Sequence, residues 1–142
     1  MTAWAPPGEP LAIAAAPVDA AFADALAARL GPPATRFHGS FDALCARIAT
    51  AEEVLTMDGG PVHLASYLGT PTRALFTAGR ERKWAPLAQN STIVRRNGLP
   101  GQPCTLFGQT PPGCPCDGRC RDLDPVRDVR PSPAAAGSSS AR

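Results

Sequence analysis

The run Glu53-Val54-Leu55-Thr56-Met57-Asp58-Gly59-Gly60-Pro61-Val62-His63-Leu64-Ala65 constrains the fold more than any other stretch of this chain. Residues 53–57 read as a strand, Asp58-Gly59-Gly60 as a tight turn, and Pro61 as the first residue of a helix, where a missing N–H costs nothing. The segment is thus a strand, a tight turn and a helix in succession. The turn also has a chemical reading. Unpaired amides at Gly59, Gly60, Val62 and His63, at the positive end of the helix dipole, would suit a diphosphate, with Asp58 and His63 flanking the anion.

Similar punctuation continues on both sides. Residues 11–16 form a short apolar run between prolines, readable as a buried strand. Val18, Phe22, Leu26 and Leu30 recur every fourth residue and predict a helix that Gly31-Pro32-Pro33 ends. A second strand is expected at 35–38. Ser40 is placed to cap a helix whose apolar face is Phe41, Leu44, Cys45 and Ile48. After the central strand and helix, Gly69-Thr70-Pro71 is a stop, residues 72–76 a fourth strand, 77–90 a loop and 91–95 a fifth strand. Strands alternating with helices predict βαβ units, a parallel sheet, and a ligand at the carboxyl ends of its strands.

At 142 residues the chain is expected to hold one domain with a modest core. Its formal charge of +2 is dispersed, which argues against nucleic acid as a partner. No basic leader and no long apolar run stand out, so a cytoplasmic protein is expected. The organisation read from the sequence is a flexible lead over 1–10, a Rossmann-like domain over 11–96, an irregular Cys/Pro/Gly-rich arm over 97–130 and a disordered tail over 131–142.

Several residues carry two readings. Asp58 binds ligand or caps its own turn, and His63 flanks the anion or packs beneath the turn. Trp84 and Tyr67 read as core or loop anchors. Arg80, Arg82 and Lys83 read as a solvated charge run, with Arg82 or Lys83 in reserve for phosphate. Cys104, Cys114, Cys116 and Cys120, spaced C-x9-C-x-C-x3-C, are candidate ligands of a structural zinc; reduced thiols or, in an oxidising compartment, disulfides are the alternatives. Cys45 is expected in the core.

The turn Asp58-Gly59-Gly60-Pro61-Val62-His63-Leu64-Ala65, followed by Leu68-Gly69-Thr70-Pro71-Thr72 and by Lys83-Trp84-Ala85-Pro86-Leu87, resembles the C-terminal half of glycosyltransferase family 9, the ADP-heptose lipopolysaccharide heptosyltransferases and their relatives. The resemblance covers roughly residues 11–130, and the order and spacing of the motifs make it specific. It implies the donor-binding half of a GT-B architecture, with Asp58 on donor sugar hydroxyls, Gly59 and Gly60 offering amides to the diphosphate, and His63 close to the reacting centre or phosphate. It implies a nucleotide-sugar donor, ADP-heptose, a glycolipid acceptor, and a cytoplasmic place peripheral to the inner membrane. No metal is implied in the chemical step. The catalytic base is expected in an N-terminal glycosyltransferase domain, so this chain alone is expected to be inactive; a non-catalytic nucleotide-sugar binder is the alternative. Gly59 stands where the family usually has Ser or Thr, and Thr77-Ala78-Gly79-Arg80 departs from the family's usual Gly-Pro-Thr-Asp-Pro.

Overall fold

The computed structural model describes residues 8–104, 113–124 and 127–131. The chain divides into two compact units, Met1–Ala46 and Arg47–Arg142, so the boundary falls inside the stretch read as a single domain. Each unit has its own sheet, where the sequence pattern had suggested one.

In the first unit β1 (Leu11–Ile13) and β2 (Ala34–Arg36) pair in parallel, Leu11 opposite Ala34. A 3-10 turn (Pro17–Asp19) and α1 (Ala20–Leu30) make the crossover. Gly31 ends α1 at a φ of 72°, its amide donating to the Ala27 carbonyl at 3.0 Å. The expected apolar face is not the one α1 buries. Ala23 is fully buried, whereas Val18 and Phe22 are 88% and 70% exposed, because a two-stranded sheet offers only a narrow apolar strip for a helix to cover. Asp24 on α1 pairs with Arg36 on β2 at 3.1 Å.

Ser40 caps α2 (Phe41–Ala49) as expected, its Oγ accepting from the Ala43 amide at 3.2 Å. Of that helix's apolar residues Ile48 is buried, Leu44 and Cys45 are half-buried and Phe41 is exposed.

The second unit is a four-stranded sheet in the order β3 (Val54–Met57), β4 (Thr72–Leu75), β5 (Ser91–Val94), β6 (Val129–Pro131). β3, β4 and β5 run parallel, with Val54 opposite Thr72 and Thr72 opposite Ser91; β6 is antiparallel, with Val94 opposite Val129. These parallel strands linked by helices make a mixed α/β, Rossmann-like arrangement. α3 (Gly60–Tyr67) connects β3 to β4 and turns Val62 and Ala65 inward, and Val62, Ala74, Phe76 and Ile93 form the core. Gly69, at a φ of 76°, and Thr70, whose amide donates to the Ala65 carbonyl at 3.0 Å, stop α3 at the expected place.

Two elements depart from the sequence reading of this unit. The expected loop over 77–90 contains a short helix, α4 (Glu81–Trp84). The arm read as irregular returns at its end as β6, whose only amide-lacking residue, Pro131, is tolerated because the strand is an edge. Of the lead over 1–10 only residues 8–10 are described, and of the tail over 131–142 only Pro131, which belongs to β6; residues 105–112 and 125–126 of the arm also lie outside the described residues.

Candidate functional site

The site is assembled where β3, β4 and β5 end. Asp58 continues β3 by donating its amide to the Leu75 carbonyl at 3.0 Å, which sets its side chain at the carboxyl edge of the sheet. There it lies against Gly79. A Cβ on Gly79 would overlap Asp58 Oδ2, so the absence of a side chain is what makes room for the carboxylate.

Arg95 holds the other side of that loop. It follows β5 directly, is only 6% exposed, and donates from Nη1 to the Gly79 carbonyl at 2.8 Å. The same nitrogen is 3.5 Å from Glu81 Oε2 at the start of α4, and Arg130 on β6 also bonds Glu81. The charges therefore run Asp58, Arg95, Glu81, Arg130 across the ends of four elements. Burial raises the Asp58 carboxyl above its ordinary range, while its own backbone amide and the Arg95 charge pull it down. Burial likewise lowers Arg95, opposed by Asp58 and by the Cys104 and Cys120 sulfurs. An arginine so placed stays charged, which makes it a fixed positive centre behind the Asp58 carboxylate.

The turn itself is open. Gly59, not Asp58, is the N-cap of α3, and no side chain caps this helix. Gly59 is extended at a φ of 168°, and a Cβ there would meet only Pro61 Cδ at 3.9 Å; a Cβ on Gly60 would meet nothing within 4 Å. Of the amides expected to be available, Val62's is already given to the Gly59 carbonyl at 3.2 Å. With Gly59 as N-cap, His63 is the fourth helical residue, where intrahelical bonding begins, so the exposed Gly59 and Gly60 amides are the ones the turn can offer.

His63 is exposed rather than packed beneath the turn. Its ring stands edge-on to Trp84, with centroids 6.2 Å apart at 63°, and the Lys83 ammonium lies 4.7 Å from the centroid of the same indole. Trp84, half exposed at 49%, thus joins His63 to Lys83 on the surface and is not a core anchor. Tyr67, 88% exposed, is not one either. Arg80 precedes α4, and its carbonyl receives the Lys83 and Trp84 amides; Arg80, Arg82 and Lys83 are all exposed.

All five cysteines are free thiols, so the disulfide alternative is not realised. Cys104, Cys116 and Cys120 are buried and Cys114 is exposed; the Cys114 and Cys116 sulfurs are 3.7 Å apart, and Cys114 Sγ accepts the Gly118 amide at 3.1 Å. Hydrogen bonding, the Cys120 amide first, lowers the Cys116 thiol, whereas burial first and then its cysteine neighbours raise that of Cys120. Among the described residues, no three His, Cys, Asp or Glu side chains are arranged to hold a metal ion.

Gly79, Glu81, Arg95 and Arg130 are the members that sequence reading missed. One signal was present: a buried strand, residues 91–94, closing on an arginine at the end where such sheets bind ligands.

The family model described as glycosyltransferase family 9 (heptosyltransferase) matches residues 13–112. No curated protein and no solved structure matches the chain.

Proposed function

Because the chain belongs to glycosyltransferase family 9, we propose that its glycosyltransferase donor is ADP-heptose and that it serves lipopolysaccharide or related glycan assembly. The single observation that carries this reading is the placement of Asp58. Its carboxylate stands at the carboxyl end of β3, seated against Gly79 beside two exposed glycine amides. A carboxylate there can accept hydrogen bonds from sugar hydroxyls, while the Gly59 and Gly60 amides and the α3 dipole face the diphosphate. His63, exposed over Trp84, is the side chain next to that anion.

In the transfer an acceptor hydroxyl oxygen bonds to the anomeric carbon, the bond to the nucleoside diphosphate breaks, and the hydroxyl proton passes to a base. The site supports the leaving side of this exchange: amides and a helix N-terminus stabilise the charge that develops on the diphosphate. The base and the glycolipid acceptor site are assigned to an N-terminal Rossmann-like domain, this chain being the donor-binding half of a GT-B pair. The proposed place of action is the cytoplasmic face of the inner membrane, as a peripheral protein; among the described residues no helix is long and apolar enough to cross a membrane.

Calorimetric titration with ADP and with ADP-heptose tests the reading. Binding that Asp58→Ala weakens about tenfold, the loss expected for a charge-assisted hydrogen bond, supports it. Folded protein that binds neither ligand overturns it.

The arm carries a separate proposal, a structural zinc held by Cys104, Cys114, Cys116 and Cys120. The donor set suits zinc, and 3.7 Å between the Cys114 and Cys116 sulfurs is near the roughly 3.8 Å edge of a tetrahedron with Zn–S of about 2.3 Å. A closed site requires the four sulfurs to converge, since among the described residues no three such side chains are yet arranged around one point. One equivalent of zinc in purified protein, lost in Cys116→Ser, supports it; folded protein that stays metal-free when zinc is supplied under reducing conditions overturns it.

A further inference from the structure

Beside the donor turn lies a second concavity that the turn residues do not line. It is a cavity of about 450 Å3 between the carboxyl end of β5 and the start of β6, walled by Arg95, Arg96, Arg127 and Arg130 with Asn97 and Asp128. Two separate stretches supply the arginines, 95–96 and 127–130. The antiparallel β5/β6 pairing brings them together, and the Arg95 amide extends it by donating to the Asp128 carbonyl at 2.9 Å.

The guanidinium groups are held in place by carboxylates. Asp128, its side chain only 8% exposed, binds Arg127 through two nitrogens at 2.9 and 3.0 Å and accepts the Asp124 amide at 2.8 Å. Asp124 in turn accepts the Arg127 amide at 2.8 Å, which ties the Arg127 backbone to Asp124. Asp122 fixes Arg96 at 2.8 Å, and Glu81 takes both Arg95 and Arg130. A guanidinium has five N–H donors, and these carboxylates engage one or two of each. The geometry is that of pre-oriented forks around a space larger than a single phosphate, which is the arrangement that matches a phosphate bidentately.

We infer that the cavity between β5 and β6 is an anion site for a phosphate-bearing ligand, held by Arg96 and Arg127 with Arg95 and Arg130 at its floor. The phosphate comes either from a phosphorylated acceptor glycan or from the diphosphate of the sugar donor, in which case the diphosphate lies here and not at the Gly59 and Gly60 amides. The site stands on its own residues and does not depend on the assignment of Asp58.

The probe is inorganic pyrophosphate, titrated calorimetrically into the full chain at low and at raised salt, with folding followed by circular dichroism. Wild-type protein should bind it, less tightly as salt rises. Arg96→Gln and Arg127→Gln, changes at the partly exposed members, should each weaken it about tenfold, as loss of one charge-assisted hydrogen bond does. Arg29→Gln, at an exposed arginine on α1, should leave it unchanged. Displacement of pyrophosphate by ADP supports the site with the donor as source. Binding of pyrophosphate to ADP-saturated protein supports it with the acceptor as source. Absence of pyrophosphate binding by folded wild-type protein, or equal affinity in wild type and both arginine variants, overturns the inference, whatever Asp58→Ala does to ADP.

Discussion

The carboxylate of Asp58 rests on the bare Cα of Gly79, and Arg95 clamps the Gly79 carbonyl from the opposite side at 2.8 Å. Three residues far apart in sequence therefore fix one another. The loop after β4 is the floor beneath the proposed donor carboxylate.

Gly79→Ala is expected to push the Asp58 carboxylate off that floor, because the new methyl would occupy the place of Oδ2. The backbone at Gly79 is only half-buried, so the fold should survive at a cost of about 1 kcal/mol. ADP-heptose affinity should fall about tenfold, as loss of a charge-assisted hydrogen bond to the sugar does. Unchanged affinity with unchanged stability would mean that Asp58 does not hold donor.

Asp58 also predicts a pH dependence. Its carboxyl is raised in the folded chain, so the group favours folding when protonated, and that contribution is lost as pH rises from the ordinary aspartate range through the raised value. Binding runs the other way, since the ionised carboxylate is the acceptor for sugar hydroxyls. ADP-heptose affinity should therefore decline on acidification from a pH above that of an ordinary aspartate. Asp58→Asn should abolish this decline, bind more weakly at neutral pH, and melt no lower than wild type. A variant that melts well below wild type would contradict the sign.

Gly59→Ser restores the hydroxyl usual in the family. Gly59 is extended and its nearest neighbour to a new Cβ is Pro61 Cδ at 3.9 Å, so stability should stay within about 0.5 kcal/mol. One added hydrogen bond to phosphate should tighten ADP about fivefold. Weaker binding would show that the diphosphate does not cross this turn.

Arg95→Met removes a buried cation with three roles: the Gly79 carbonyl loses its donor, Glu81 keeps only Arg130, and Asp58 loses a counter-charge. Urea unfolding should show a loss of about 2–3 kcal/mol. Arg95→Lys should recover part of it, since a point charge remains but the fork does not.

Much of this was legible before the structure, and the reason differs by element. The strand at 72–76 was readable, within one residue of Thr72–Leu75, because Gly69-Thr70-Pro71 ends the helix just before it. The end of α3 was readable because Gly69-Thr70-Pro71 leaves a helix no way to continue. α4 was not, since four residues are too few to display a helical period. β6 was hidden for a similar reason, being three residues of which one is proline. The repeat Val18, Phe22, Leu26, Leu30 correctly announced a helix but misplaced its inward face, because periodicity says that a stripe exists and not what lies opposite it. The turn at Asp58 could be read locally; its seat on Gly79 and Arg95 could not, since it exists only once three strands end side by side.

The last strand has a consequence for how the molecule behaves in a crowd. Without β6, β5 would present a row of unpaired amides and carbonyls beside the buried Ile93 and Val94, a template on which a second chain could assemble. β6 covers that row, and Pro131, opposite Thr92, gives the new border a position with no N–H to donate. The sheet on this side thus terminates itself, and the short strand works as a guard against fibril-like association as much as a wall for the arginine-lined cavity.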